Sequence, residues 1–173
     1  INQPYGNALL VGVGGSGRKS LSTLATSIAD FKQYTIALSR TYGMFEWRED
    51  LKKIFMLTGV QNESTIFLFD DTQIIDEAFL EDVNGILNTG EVPNLFNTEE
   101  VGIITEGINR DAKDAGVNTG SLMEIMTFFT ERVRLHTGTS SQVTIVAHDR
   151  TPELSRETCY QTPLDMIIFT VTA

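Results

Sequence analysis

Residues 8–20, ALLVGVGGSGRKS, join a continuous apolar run to a glycine-rich loop and then to a basic, amphipathic stretch. An apolar run of this length predicts a strand buried on both faces. Glycines let the backbone curl through positive φ and approach a ligand closely. The helix that follows aims free N–H groups and its positive dipole end at an anion. The stretch therefore predicts strand, phosphate-binding loop and helix. Two motifs overlap in it. Gly12-x-x-x-x-Gly17 fits the P-loop frame G-x-x-x-x-G-K-[ST], with Arg18 at the lysine position and Lys19 at the Ser/Thr position. Arg18 keeps a cation for the phosphates, as a fork instead of a point charge. Lys19 cannot supply the metal-binding hydroxyl, and Ser20 stands one residue late, about 100° further round the helix. The same loop fits G-x-G-x-x-G through Gly12, Gly14 and Gly17, which is the dinucleotide fingerprint. The acid that fingerprint wants is replaced by Ser39-Arg40. That pair suits a 2′-phosphate and keeps an NADP-binding domain open.

Outward from the loop, short apolar runs alternate with longer amphipathic ones. Residues 18–30 carry Leu21, Leu24, Ala25 and Ile28 at helical spacing. Strands are predicted over 34–38, 65–69, 143–147 and 166–171, and helices over 46–58, 76–89, 121–136 and 152–160. Trp47, Leu51, Ile54, Phe55 and Thr58 form one stripe of the 46–58 helix, and Trp47 and Phe55 are expected in the core. Asp76 caps the next helix and Gly90 ends it. Residues 90–96 read as a Pro-containing loop. The acidic segment 97–120, with Gly102, Gly107, Gly116 and Gly120, reads as short helices and turns. Strands alternating with helices predict a mostly parallel sheet covered on both faces, with the site at the carboxyl ends of the strands.

The whole composition is that of a globular chain: 173 residues, 41% hydrophobic and 21% charged. Thirteen Lys plus Arg against 23 Asp plus Glu give a formal charge of −10, which argues against a nucleic-acid footprint. No apolar run reaches membrane-spanning length. The lone Cys159 cannot form an internal disulfide and fits a reducing compartment. The first basic residue is Arg18, so no signal peptide is expected. The chain starts at Ile1 and ends on a strand-like TVTA, and is read as a piece of a longer protein. His136 and His148 lack metal-ligand spacing. Between Lys53 and Arg110 there is no basic residue. Acids recur there, and such a face is ordinarily solvated.

Two of those acids bear on the choice of ligand. TIFLFDD, residues 65–71, is a buried strand ending in Asp70-Asp71. In a P-loop enzyme the strand beside the P-loop strand carries a metal-side aspartate, and the next acid polarises the attacking water. Asp70 fits the first role and Asp71 the second, one methylene shorter than glutamate. A dinucleotide domain has no need of the pair.

GNALLVGVGGSGRKSLSTLA, YGMFEWREDLKKI, TIFLFDDTQI and FLEDVNGILNTGEVPNLF, in this order, resemble the fourth AAA+ module of the dynein heavy chain. The axonemal (ciliary) heavy chains are the most similar, since they carry an arginine in this P-loop. The resemblance is continuous over residues 6–96 and looser over 128–171. It implies an α/β fold: a parallel five-stranded P-loop NTPase (AAA+) large subdomain with helices on both faces and sheet order 5-1-4-3-2. That subdomain would fill residues 1–173, without the lid subdomain or the stalk. The module would be one of six in the motor ring, regulatory in role.

The resemblance carries over residue by residue. Gly12, Val13, Gly14, Gly15, Ser16, Gly17, Arg18, Lys19 and Ser20 would be Walker A. Asp70 and Asp71 would be Walker B, with Asp70 a departure from the Thr-Asp expected in axonemal chains. Asp149 would stand near the sensor position, where a carboxylate repels a γ-phosphate unless protonated or paired, for instance with Arg150. Arg156 is what remains of the arginine-rich stretch that would supply an arginine finger. Pro4, Tyr5 and Gly6 would offer backbone to adenine. The implied cofactors are ATP or ADP, with Mg²⁺ at Asp70 and Ser20. The implied partners are neighbouring AAA+ modules and, through the parent chain, intermediate and light chains and microtubules, with no nucleic acid or membrane. The implied location is the cytoplasm and cytoskeleton, in the ciliary axoneme. The expectation is nucleotide binding with little or no hydrolysis. An active Mg²⁺-dependent ATPase and an NADP-binding Rossmann domain are the alternatives.

Overall fold

The computed structural model describes residues 7–12, 17–138, 143–148 and 166–170. Pro4, Tyr5, Gly6, Val13, Gly14, Gly15, Ser16, Asp149, Arg150, Arg156 and Cys159 lie outside them, as does the helix expected over 152–160. The described elements are β1 (Asn7–Gly12), α1 (Arg18–Ile28), β2 (Lys32–Thr35), α2 (Met44–Phe55), β3 (Thr65–Asp70), α3 (Glu77–Asn88), α4 (Thr98–Asp114), α5 (Leu122–Gly138), β4 (Val143–His148) and β5 (Met166–Thr170).

All strand pairings are parallel, in the order β2-β3-β4-β1-β5. Read from the other edge, that order is 5-1-4-3-2. Two expectations change here. β3 does not lie beside β1, because β4 is inserted between them. The dinucleotide alternative also fails on topology. That fold pairs its first strand with its second, whereas here β1 is flanked by β4 and β5 and β2 is at the edge.

The β1-to-β2 connection runs across the sheet in the direction opposite to the others. Right-handed crossovers therefore put α1 on one face and α2 to α5 on the other. α1 has the expected periodicity but not the expected orientation. Leu21, Leu24 and Ile28 are exposed, while Arg18, Ser22 and Thr26 are buried. Small side chains on the inward side let the helix axis sit close to the sheet. The Thr26 hydroxyl donates to the Ser22 carbonyl at 2.7 Å and so needs no outside partner.

The core lies on the other face. Thr65 to Phe69 of β3 are all buried, as a strand covered on both sides must be. Trp47 of α2 is wholly buried, stacked on Phe79 of α3 with centroids 4.4 Å apart, and 5.4 Å from Phe69 of β3. Its indole N–H donates to Asp82 Oδ2 at 2.8 Å. Leu51, Ile54, Phe55 and Thr58 complete the predicted stripe. A π-helical turn, Met56–Val60, continues α2. α3 begins as predicted, with Asp76 accepting from the Ala78 N–H at 3.0 Å, and Gly90 follows it at φ 72°.

The segment 97–120 is not a set of short turns. It holds the 17-residue helix α4. Asn97 and Glu100 close a reciprocal capping box at 2.8 Å each way, which nucleates the helix. Gly107 is there because of packing: a Cβ on it would lie 2.8 Å from Val60 Cγ1. The glycine spends helix propensity to let α4 approach the π turn.

Polar contacts tie α2 to its neighbours. Lys52 donates to Glu49 at 2.8 Å and to Glu100 of α4 at 2.7 Å. These hydrogen bonds raise the lysine and lower the Glu100 carboxyl from their ordinary values. Asp50 accepts from Tyr34 and Tyr42 at 2.8 Å each and from Lys53 at 2.9 Å. Burial alone would raise the Asp50 carboxyl, but the bonds from Lys53, Tyr42 and Tyr34 outweigh it and hold it below its usual value. Burial, and then the bond to Asp50, push both tyrosines up.

Asp82→Ala is expected to lower the urea midpoint, costing about 1.5–3 kcal/mol, because it orphans the Trp47 N–H inside the core. A loss under about 0.5 kcal/mol would show that the bond does not hold the ring. The Asp50 cluster sets an acid limit. A carboxyl depressed in the folded state stabilises above its unfolded value of about 3.9 and loses that contribution as pH falls through the folded value. Asp50→Asn should flatten the acid limb of a stability–pH curve and leave the slope near neutrality unchanged. An acid limb identical to the parent's contradicts this.

Candidate functional site

β1 ends at Gly12, level with His148 of β4. After the loop, Gly17 takes up the chain in the left-handed region, at φ 75° and ψ 11°, where glycine alone is unstrained. A Cβ on Gly17 would meet nothing within 4 Å, so the requirement is conformational and not steric. The first backbone bond of α1 runs from the Leu21 N–H to the Gly17 carbonyl at 2.9 Å. By helix geometry the N–H groups before it have no partner within the helix. α1 also carries no acid in its first turn, so the dipole end is not neutralised from within the helix.

Arg18 is buried and Lys19 is exposed, both at the first turn. Ser20 is exposed on the same helix. Lys19 Nζ reaches Asp70 Oδ2 at 3.4 Å. Asp70 is the last residue of β3, so the contact lies at the carboxyl end of that strand. The two sequence motifs, 51 residues apart, therefore meet through one ion pair.

Asp70 is held by its own turn. Its Oδ1 accepts from the Thr72 N–H at 3.0 Å and from the Thr72 hydroxyl, an Asx turn. Its backbone N–H donates to Gln73 Oε1 at 3.0 Å, and the Gln73 amide donates on to the Ile36 carbonyl at 2.8 Å. Gln73 is buried and clips the end of β3 to the segment after β2. Thr72 and Gln73 were not among the predicted site residues. The signal available was D-x-T directly after a strand. Asp71 opens the short turn Asp71–Gln73.

The arrangement can take up an anion between the α1 N-terminus, Arg18 and Lys19. It does not fit Mg²⁺ as it stands. Lys19 fills the hydroxyl position, and both Asp70 oxygens are engaged by donors of the chain. No cluster of three or more His, Cys, Asp or Glu with metal-binding geometry occurs among the described residues. A cavity of about 930 Å³ lies elsewhere, under the loop after α3, and is lined by Arg48, Gly85, Gly90, Leu95 and Thr130 among others. No helix among the described residues is long and apolar enough to cross a membrane.

Known proteins resemble the chain closely. It is 52% identical over 134 residues, 78% of its length, to the Dynein-1-beta heavy chain, flagellar inner arm I1 complex, of Chlamydomonas reinhardtii. Over the same share it is 46% identical to Dynein axonemal heavy chain 6 of Homo sapiens and to Dynein axonemal heavy chain 1 of Rattus norvegicus. The chain spans about 3% of the length of these relatives. The profile of the P-loop containing dynein motor region D4 matches residues 1–150. With the P-loop frame, the parallel α/β sheet and the strand-end aspartate on one edge, the chain belongs to that family, the AAA+ dynein motor region D4.

Proposed function

We propose that residues 1–173 are the large α/β subdomain of a dynein heavy-chain AAA+ module, and that the module binds ATP or ADP and hydrolyses it slowly or not at all. The observation that carries the proposal is the meeting of Lys19 with Asp70 at 3.4 Å. It brings the P-loop frame and the acid of β3 to one edge of the sheet, where ligands of parallel α/β folds bind. The sheet order, with β4 between β1 and β3, supports the AAA+ reading over the dinucleotide one.

In this reading the residues from Gly12 to Ser20 cradle the phosphates, with Arg18 in the lysine's role. Pro4, Tyr5 and Gly6 meet the adenine. Asp70 and Asp71 take the Walker B positions, Asp149 the sensor position and Arg156 that of an arginine finger. The module works in the motor ring of a microtubule-based, axonemal heavy chain, against neighbouring modules of the same chain. Intermediate chains, light chains and microtubules are partners of the parent protein. The closeness to flagellar and axonemal heavy chains supports a ciliary, cytoskeletal location.

Weak hydrolysis follows from the chemistry. An AAA+ site takes an arginine from its neighbour to stabilise charge on the transferring phosphoryl group, worth roughly 10³–10⁵ in rate. Asp71 is a methylene short of glutamate, and a carboxylate at the sensor position, the place this reading gives Asp149, would repel the γ-phosphate.

Gly17→Val is expected to weaken ADP binding by about tenfold or more in calorimetric titration, because a β-branched residue cannot hold the left-handed φ that aims the helix N–H groups. Equal affinity in parent and variant places the site elsewhere. Turnover of ATP by the purified chain is expected below about one per minute. Faster turnover that Asp71→Asn abolishes would establish the active-ATPase alternative instead.

A further inference from the structure

We propose that Lys19 stands in the place of the metal ion, so that this site takes nucleotide without Mg²⁺, its charge met by an ammonium of the chain. The inference rests on the phosphate-site reading above and concerns which cation completes it.

A P-loop binds its dication through the hydroxyl that follows the lysine position and through a carboxylate at a neighbouring strand end. Mg²⁺ demands near-octahedral oxygen ligation. Both donors are altered here. The residue after Arg18 is a lysine, which offers three N–H donors and no acceptor. It points at the other half of the metal's donor set: Lys19 Nζ is 3.4 Å from Asp70 Oδ2. The remaining oxygen, Oδ1, accepts from the Thr72 N–H at 3.0 Å and from the Thr72 hydroxyl. Asp70 is thus neutralised on one side and saturated on the other. Ser20 does not repair the site, since one helical step turns it about 100° away.

A dication brought to Asp70 would meet a like charge already seated on that carboxylate, and the repulsion is strong at such range. The ammonium has the opposite relation to a phosphate. One of its three donors serves Asp70 and the others are available to anionic oxygens, as charge-assisted bonds. The α1 N-terminus and Lys19 then bring positive charge to one end of α1 in an otherwise acidic protein. Asp70 acts as a positioning residue, holding the ammonium at the strand end where the phosphates arrive. Gln73 and Thr72 in turn hold Asp70.

The test is ADP titration of the purified chain by calorimetry, with Mg²⁺ and again with EDTA, and Mn²⁺ titration followed by electron paramagnetic resonance in the presence of ADP. The Lys19 side chain is 62% exposed, so Lys19→Thr leaves the packing intact, restores the hydroxyl and frees Asp70. In the parent, the ADP dissociation constant should change less than about twofold between Mg²⁺ and EDTA, and ADP should not immobilise Mn²⁺. In Lys19→Thr, affinity in EDTA should fall about tenfold, Mg²⁺ should recover it, and Mn²⁺ should bind with ADP. A parent whose affinity rises tenfold with Mg²⁺, the rise being lost in Asp70→Asn, overturns the proposal and leaves the phosphate site standing. Equal affinity of parent and Lys19→Thr in EDTA overturns it as well. If no ADP binds under either condition, the phosphate-site reading itself fails and the inference falls with it.

Discussion

Trp47 is the contact on which the rest of the structure turns. It comes from α2, lies across Phe67 and Phe69 of β3 and stacks on Phe79 of α3. Its one polar atom finds Asp82, also on α3. These three elements, α2, β3 and α3, are thereby fixed in one orientation by an aromatic cluster whose hydrogen-bonding demand is met inside the core. β3 has no freedom to slide in this packing. A shift by one residue would carry Phe67 and Phe69 off the face on which they meet Trp47. The position of Asp70 at the carboxyl edge is therefore a consequence of core packing.

Electrostatics divide the molecule in two. On the α2 side, charges pair locally: Lys52 with Glu49 and Glu100, Lys53 with Asp50, Arg132 with Asp111. The charged face of α2 is a set of ties between α2, α4 and the tyrosines. Such half-exposed pairs contribute orientation more than stability. On the other side, Lys19 of α1 pairs with Asp70 at the end of β3. An exposed lysine so placed gains little for the fold from one carboxylate.

Much of this was legible from local pattern. The run ALLVGV is a strand because it is apolar throughout, and the glycine loop and α1 follow from it. TIFLFDD reads as a buried strand with a site residue at its end. Asp76 and Gly90 mark the ends of α3 by capping chemistry alone. Illegible were the features that depend on what lies opposite. Glycines at 102 and 107 argued for turns over 97–120, yet α4 runs through both, because the Asn97–Glu100 box nucleates it and Val60 needs the space at Gly107. The apolar stripe of α1 was visible, but periodicity does not say which way a stripe faces. Gln73 was overlooked because a single amide carries no pattern.

The sequence by itself determined most of the element types, the P-loop frame, the aspartate at a strand end and the family to which they belong. Each of these is written in residues close together along the chain, through backbone propensity, capping and glycine's access to positive φ. The outward face of α1 and the pairing of Lys19 with Asp70 were decided by tertiary structure alone. They depend on how residues far apart in the chain, 51 apart for Lys19 and Asp70, come to be neighbours, and only the packing of the whole sheet, with its helices locked around Trp47, brings them together.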